Sequence, residues 1–416
     1  MTTFLLILFL IECISILYWG LKTKGRMYEY PFLAGCVFTF WVLPQLIGLS
    51  NNQSVSNTGL NKTIIMSCLC LFMCYFGYTL NKDPMSIYNW SFSTKRLFKI
   101  SIIFLIIGAS FFFLILRLPQ EITKFSLWTG RPVLYNFFAS FLEYSLILAC
   151  LLYLKRKSKA SLIVVLFCLP YYFYKIFIGG RRGETVQFAL IFLLSYWFIK
   201  RKALSRALFL IFILCFTLFS FSIGDYRSVM FYRVSSYAEL KYINYIYNFI
   251  KIFEQGGIEM YNAVITIEAS DIAKKFDFGT FHWNTFVFNF FPGQLLGYDV
   301  KSLFTIPYEN PAYYLYGYIP PKGSTMTGLS DAFLSFWYFG CIKFFLISFI
   351  LAKVYKSAIK GNLFAQYLYI FLIGGALHAI THHTQSFFSG LINFAICVLP
   401  FLHYAKKGRI IKCGMQ

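Results

Sequence analysis

Charge is scarce in this chain of 416 residues, because Asp, Glu, Lys and Arg together make up only 13% of it. A soluble domain carries roughly 25% charged residues, so this chain has too little polar surface for an ordinary soluble enzyme. Hydrophobic residues reach 58%, with 51 Phe and 31 Tyr. Since apolar runs of about 20 residues recur along the chain, we predict an all-α polytopic membrane protein.

Several signatures of chemistry are also absent from the sequence. It contains no P-loop, no Gly-rich dinucleotide motif, no serine nucleophile elbow and no paired-aspartate nucleotide-sugar motif. Ten of the 11 Cys lie in apolar runs, where a free Cys behaves as a small hydrophobe, so we expect neither a disulfide framework nor a metal cluster. A transferase that acts outside the membrane without a nucleotide site must use an activated lipid.

The apolar runs predict eleven membrane spans with one large loop after the eighth. The chain therefore divides into residues 1–224 with spans one to eight, an outer loop at 225–330, and residues 331–416 with spans nine to eleven and a tail. The expected spans are roughly 3–21, 31–50, 63–80, 98–116, 133–154, 161–179, 186–199, 204–224, 331–352, 363–380 and 387–404.

The Lys and Arg residues between the spans fall mainly on alternate segments. Six segments together contain 22 Lys and Arg residues against two acidic residues, Glu29 and Asp83. By the positive-inside rule these segments are cytoplasmic, so the N-terminus lies outside and the C-terminus lies in the cytoplasm. The formal net charge of +22 is therefore a topology signal, and we expect no nucleic-acid binding.

The outer loop 225–330 is nearly neutral, with eight cations and nine anions, and it is rich in aromatic residues. This is not the composition of a disordered linker, and long ordered loops are usually functional. Apolar residues at spacings of three and four predict one amphipathic helix from Tyr237 to Phe253, ended by Gly256. A second helix is expected near 258–275, and the rest of the loop is expected to be irregular.

Two groups of arginines are candidates for binding a phosphate at the outer face. Arg181 and Arg182 lie in the turn Gly179-Gly180-Arg181-Arg182-Gly183-Glu184, and Arg227 and Arg233 follow the eighth span. Guanidinium groups bind phosphate oxygens in bidentate pairs, and glycines let the backbone approach a ligand closely. The alternatives are a solvated turn and an interfacial belt of Tyr and Arg side chains.

Three histidines, His378, His382 and His383, lie where the tenth span reaches the outer surface. A neutral His is a good general base near pH 7. We rank His382 first because it shares a helix face with His378. Asp225 and Glu184 are the carboxylate alternatives, each weakened as a base by a neighbouring Arg that lowers its pKa. Two histidines alone do not make a metal site. The alternative interpretation of these histidines is polar packing in a vestibule at the outer surface.

Charged residues inside the spans are costly and should be paired. Glu143 and Lys343 both lie near mid-span, so we expect them to form an internal ion pair, with a proton or ion pathway as the rival interpretation. Lys175 lies near the outer end of its span and can reach toward the arginine turn and a substrate. His282 and Trp283 in the loop are candidate sugar contacts, because aromatic faces stack on sugar rings.

The combination of these features resembles a known family. The features that carry this resemblance are the many spans, the large outer loop late in the chain and the arginines at the start of that loop. Two motifs add to it, the turn Gly180-Arg181-Arg182 and the stretch from Gly323-Ser324-Thr325-Met326-Thr327 to Phe336-Trp337-Tyr338-Phe339-Gly340. The chain thereby resembles bacterial oligosaccharide repeat-unit polymerases, the O-antigen polymerases of the Wzy type. Eleven spans differ from the even number found in many members of that family.

The resemblance implies a metal-independent membrane glycosyltransferase of the bacterial cytoplasmic membrane, without a cofactor, in surface polysaccharide (lipopolysaccharide O-antigen) synthesis. Such an enzyme transfers a glycan from undecaprenyl pyrophosphate to a sugar hydroxyl of an incoming lipid-linked repeat unit. The implied partners are this lipid-linked oligosaccharide, membrane lipid and a chain-length regulator protein. Rival functions are an O-antigen ligase, which uses lipid A core as acceptor, and a flippase or other transporter of lipid-linked oligosaccharide.

Overall fold

The computed structural model describes residues 1–80, 83–84, 90–119, 130–232, 237–291, 297–321 and 323–410. Helix makes up nearly all of the regular structure in these residues. Strands β1 (Trp90–Phe92) and β2 (Lys406–Ile410) form a short antiparallel pair. Helices satisfy their own backbone hydrogen bonds, which a chain surrounded by lipid must do.

The helices before the large loop follow one another with short connections. Two π-helical turns, Phe38–Val42 and Tyr174–Ile178, continue α2 into α3 and extend α8. In chain order these helices are α1 (Thr2–Lys22), α2 (Tyr30–Val37), α3 (Leu43–Ser50), α4 (Asn57–Leu80), α5 (Thr94–Leu116), α6 (Arg131–Ala139), α7 (Phe141–Arg156), α8 (Lys159–Phe173), α9 (Arg182–Lys200), α10 (Arg206–Phe221) and α11 (Ile223–Tyr232).

The large loop is more helical than its sequence indicates. Its helices are α12 (Tyr245–Gln255), α13 (Ile258–Ala273), α14 (Thr280–Phe290), α15 (Tyr298–Leu303) and α16 (Pro311–Tyr316). The expected first helix is shortened, because the Asn244 side chain accepts a hydrogen bond from Tyr247 N (2.9 Å) and starts α12 there. Helix α13 agrees with the second expected helix, whereas α14 to α16 replace the irregular structure that was expected.

The chain after the loop returns to the bundle. It forms α17 (Gly328–Phe336), α18 (Ile342–Ile359), α19 (Leu363–Thr381), α20 (Gln385–Cys397) and α21 (Leu399–Ala405). Helices α17 and α18 are separated by a short turn in which Trp337 has a φ of +54°.

The described residues contain eight helical stretches that are long and apolar enough to cross a membrane. These are α1, α2 with α3, α4, α5, α6 with α7, α8 with its π turn, α17 with α18, and α19. Two bent pairs raise the number to ten if each counts as one span: α10 with α11, bent by 57°, and α20 with α21, bent by 43°. The predicted all-α polytopic membrane architecture is confirmed.

The expected seventh span, 186–199, forms helix α9 but is not among these ten stretches. Its first two turns contain Arg182, Glu184 and Gln187, which face a cavity inside the bundle. Polar residues that line a cavity make a helix less apolar than one that faces lipid. The expected count of eleven spans therefore exceeds by one the number that length and composition support.

The contacts between connecting segments fall into two groups, one at each end of the bundle. Segments expected on the cytoplasmic side contact one another, and the large loop contacts the segments expected outside. These contacts join Arg96 to Tyr404, Arg201 to Ile359 and Arg206 to Lys22 at the cation-rich end, and Lys62 to Asp271 and Arg182 to Glu259 at the other end.

The mid-span charges pair differently from the expectation. Lys343 Nζ lies 3.3 Å from Asp331 Oδ1, and both side chains are buried. Glu143 Oε1 instead accepts a hydrogen bond from Gln187 Nε2 over 2.7 Å. The expected pair of Glu143 with Lys343 is therefore wrong, because the turn Trp337–Cys341 between α17 and α18 lets Lys343 reach an acidic residue of α17.

Reporter insertions test which end faces outward. We expect alkaline phosphatase inserted after Gly279 to be active, and a cytoplasmic fluorescent reporter after Lys157 or Lys202 to fluoresce, because the cation-rich segments should stay inside. Inactive phosphatase after Gly279, with the fusion present in the membrane by immunoblot, would place the large loop in the cytoplasm and contradict the topology.

Candidate functional site

A cavity of about 880 Å³ opens within the bundle, at the end that the large loop contacts. Residues of α2, α9, α10 and α19 contribute most of its wall. Its polar part contains three arginines, two histidines and two carboxyl groups, namely Arg181, Arg182, Arg227, His378, His382, Glu143 and Glu184. The candidate arginines and histidines, which are far apart in the sequence, therefore meet in one place.

A glycine shapes the turn that carries the first two arginines. Gly180 has a φ of +54°, a left-handed conformation that favours glycine. A Cβ atom at this position would lie 3.0 Å from Cγ of Arg227, whose Nε donates a hydrogen bond to Gly180 O over 3.0 Å. This close approach of α11 to the turn places Arg227 on the same cavity wall as Arg181 and Arg182.

Arg182 is engaged by protein groups from two other segments. Its Nη2 lies 2.8 Å from Glu259 Oε1, and its Nη1 lies 3.5 Å from Ser220 O. The side chains of Arg182 and Glu259 are only 18% and 12% exposed. A carboxylate uses the same guanidinium donors as a phosphate oxygen. Glu259, in the first turn of α13, therefore holds the position at Arg182 that an anionic ligand would take.

His378 and His382 form a stacked pair on the cavity wall. Their ring centroids lie 3.6 Å apart, with an angle of 27° between the planes. His378 Nδ1 is 3.2 Å from Ser386 Oγ, and His382 Nδ1 is 2.9 Å from Thr381 Oγ1. Burial, the adjacent His378 and the cationic Arg182 lower the pKa of His382 well below its usual value. His382 is therefore neutral near pH 7, in the form that can accept a proton.

Much of the remaining cavity wall is apolar. Its apolar residues include Leu33, Val37, Phe40 and Trp41 from α2 and its π turn, Leu190 and Leu193 from α9, and Phe209, Phe212, Ile213 and Phe216 from α10. Leu208, Ile211 and Leu214 of α10 are exposed and do not line the cavity, whereas Phe209, Phe212 and Ile213 of the same helix do. Helix α10 is thus a single layer between the cavity and the surface that faces lipid.

Two polar pairs involve Glu143, Glu184 and Gln187 of the cavity wall, whereas Lys175 does not line the cavity in the described part of the chain. Lys175 Nζ lies 2.7 Å from Glu184 Oε1, so the charge of this lysine is balanced within the protein. Gln187 Nε2 donates to Glu143 Oε1 and, over 3.2 Å, to Ile370 O. The positive charge left to attract an anion therefore comes from the three arginines. Within the described residues, His, Cys, Asp and Glu side chains do not gather in groups of three or more that could bind a metal ion.

Two of the remaining candidates, Asp225 and His383, have other surroundings than the cavity. Arg233 lies outside the described residues. Asp225 is exposed and accepts a hydrogen bond from Asn248 Nδ2 over 2.7 Å, whereas the His383 ring packs against Phe281. Neither Asp225 nor His383 lines the cavity in the described part of the chain.

The two candidate sugar contacts lie on α14. His282 is mostly buried, with Nε2 3.0 Å from Thr384 Oγ1. Trp283 is 43% exposed, and its Nε1 donates to Phe304 O over 2.7 Å. Trp283 is therefore the one of the two with a ring surface that a sugar can reach.

Sequence analysis does not single out Glu259, Gln187 or Thr384. Each acts through a partner that is distant in the sequence, such as Arg182, which lies 77 positions before Glu259. Asp331 could have been found from the sequence. It is an acidic residue at the start of an apolar stretch, and such a residue requires a buried partner.

Comparison with protein-family models, with curated proteins and with solved structures finds no significant match to this chain. The functional argument therefore depends on the residues and their geometry.

Removing the carboxylate that occupies Arg182 should strengthen anion binding. We expect Glu259→Gln to bind inorganic pyrophosphate about tenfold more tightly than the parent protein, since a hydrogen bond between charged groups contributes roughly 1.5 kcal/mol or more. Isothermal titration calorimetry on the purified full-length protein measures this. Glu254→Gln is the matched control, because Glu254 is exposed on α12 and makes the same charge change. Equal gains in both variants would mean that Glu259 does not compete at Arg182.

Proposed function

We propose that this protein polymerises lipid-linked oligosaccharide repeat units at the outer face of the bacterial cytoplasmic membrane. It transfers a glycan from undecaprenyl pyrophosphate to a sugar hydroxyl of an incoming repeat unit. The observation that carries the proposal is the cavity, which combines three guanidinium groups and two stacked imidazoles with many aliphatic and aromatic side chains. This combination suits a diphosphate joined to a hydrocarbon chain.

The arginines suit the leaving group of this reaction. As the bond between the anomeric carbon and the diphosphate oxygen breaks, negative charge develops on that oxygen. Arg181, Arg182 and Arg227 lie where fixed positive charge stabilises it, inside a partly buried site where electrostatic interactions are stronger than in water. Arg182 exchanges its carboxylate partner, Glu259, for a phosphate oxygen when the donor binds.

The apolar wall suits the polyprenyl chain of the donor. Aliphatic and aromatic side chains of α2, α9 and α10 continue from the arginines into the bundle. Each buried CH₂ group of a lipid contributes about 0.8 kcal/mol. Because α10 is the single layer between this wall and lipid, the polyprenyl chain has the shortest path to the bilayer past α10.

His382 suits the role of general base. The acceptor hydroxyl gives its proton to the neutral imidazole, its oxygen attacks the anomeric carbon, and the diphosphate leaves with the bonding electrons. A single displacement of this kind inverts the anomeric configuration. His382 lines the same cavity as Arg182 and Arg227, so one site contains both the base and the groups that stabilise the leaving group.

A ligase would use the same donor chemistry and differs only in its acceptor. The discriminating experiment supplies purified full-length protein with the lipid-linked repeat unit alone, and separately with lipid A core as competing acceptor. We expect polymer in both reactions and no transfer to the core. Transfer to the core without polymer would identify a ligase, and the absence of transfer in both reactions would contradict a glycosyltransferase.

The arginine turn should be essential for polymerisation. We expect Arg181→Ala and Arg182→Ala each to abolish long polymer while the protein still inserts in the membrane. Arg182→Lys should restore only part of it, because an ammonium group lacks the planar fork of a guanidinium. Polymer length is read on gels, with Arg156→Ala at the far end of α7 as a control. Full-length polymer in both Ala variants would mean that the diphosphate binds elsewhere.

The base should be His382 and not His383. A positioned general base contributes roughly 10²–10⁴-fold in rate, so we expect His382→Ala to lose activity on that scale. His383→Ala and Asp225→Asn should retain most activity, because neither residue lines the cavity. Initial rates with the lipid-linked repeat unit decide the matter. If Asp225→Asn lost its activity while both His variants kept the rate of the parent protein, the Asp225 carboxylate would be the base.

A further inference from the structure

The connector 382–384 between α19 and α20 carries His382 and ends at Thr384, which is completely buried. Its first residue is tied to α19, since His382 N donates to His378 O over 2.9 Å. A connector of three residues transmits any shift of its second end to the His382 side chain. The contacts of Thr384 therefore matter for where the imidazole points.

Thr384 is held by a carboxylate of α17. Its backbone N–H donates to Asp331 Oδ2 over 2.8 Å, and its hydroxyl donates to the same oxygen over 2.5 Å. Asp331 is only 5% exposed. Hydrogen bonds to a charged acceptor are shorter and stronger than neutral ones, so Asp331 fixes both the backbone and the side chain of Thr384.

Lys343 holds Asp331 in turn. Its Nζ lies 3.3 Å from Asp331 Oδ1 and donates to Ser335 Oγ over 2.7 Å. The three side chains are buried, and a buried charge without a partner is strongly destabilising. The carboxylate of Asp331 therefore has little freedom to turn away from Thr384.

The large loop reaches the same threonine through His282. The single hydroxyl hydrogen of Thr384 points to Asp331, so the contact of 3.0 Å with His282 Nε2 requires that His282 donates. Nε2 of His282 therefore carries a hydrogen. Nδ1 of the same ring lies 3.9 Å from Asp331 Oδ1, so the ring lies beside the carboxylate that holds Thr384. Thr384 thus joins α17, the connector and α14.

We propose that Thr384 and Asp331 are positioning residues that hold the connector so that the His382 imidazole faces the arginines of the cavity. The proposal deepens the proposed function and rests on it for the role of His382. Thr384 and Asp331 touch no substrate, since they lie outside the cavity wall in the described residues. His282 extends the same control to the outer loop, so α14 also sets the position of the connector.

The test compares Thr384→Val, which keeps the shape of the side chain and removes the hydroxyl, with Thr384→Ser, which keeps the hydroxyl. In purified full-length protein we expect Thr384→Val to lower kcat by roughly 10²-fold, the scale for a displacement of about 1 Å in a catalytic group. KM for the lipid-linked donor should change little, because the arginines are untouched. Thr384→Ser should retain most of kcat.

A second measurement does not depend on activity. Diethyl pyrocarbonate modifies neutral imidazoles, and mass spectrometry gives its rate at His382. We expect a changed rate at His382 in Thr384→Val, and the parent rate in Thr384→Ser. Thr384→Ala replaces Thr384→Val if the latter does not fold.

Parent kcat together with the parent labelling rate in Thr384→Val would overturn the positioning role. Equal losses of kcat in the Val and Ser variants, with unchanged labelling, would overturn it as well. If the parent protein does not polymerise, the proposed function fails, and the labelling rates still decide whether Thr384 positions His382.

Discussion

A charge placed in hydrocarbon must have a partner, and this constraint organises the protein. Most cations avoid the cost by lying on one set of connecting segments. Those that enter the bundle are neutralised, as Lys343 is by Asp331 and Lys175 is by Glu184. The three arginines of the cavity are the exception, because Glu259 balances only part of their charge. The proposed anionic lipid substrate depends on this excess of positive charge at one partly buried place.

The large loop is part of the same core and not an appended domain. Helix α13 buries Met260, Ala263 and Val264 among the membrane helices, and Met260 N donates to the Gln45 side chain. Glu259 at the start of α13 then reaches Arg182. The loop therefore fixes the site from outside, and a substrate that replaces Glu259 at Arg182 acts directly on the loop.

The fold class could be predicted from the sequence because lipid imposes a simple rule on composition and length. The helical spans and the convergence of Arg181, Arg182 and His382 on one face followed from that rule. The pairs could not be predicted, since side chains find partners through packing that no local pattern records. Glu143 was expected to meet Lys343 and instead meets Gln187, while Asp331, in the helix just before Lys343, pairs with the lysine. The helices α14 to α16 were missed for the same reason, because tertiary contacts and not periodicity stabilise such short segments.

In the proposed reaction, the proximity of His382 to the arginines links the strength of the base to the presence of the donor. Before the donor binds, burial, the adjacent His378 and the charge of Arg182 keep the pKa of His382 low, so it is a weak base. A bound diphosphate offsets the arginine charge and raises that pKa, because a nearby anion favours the protonated imidazole. Departure of the diphosphate exposes His382 to the arginine charge again, lowers its pKa and releases the proton taken from the acceptor. The arginines would then serve twice in each cycle, first by stabilising the leaving group and afterwards by restoring the base.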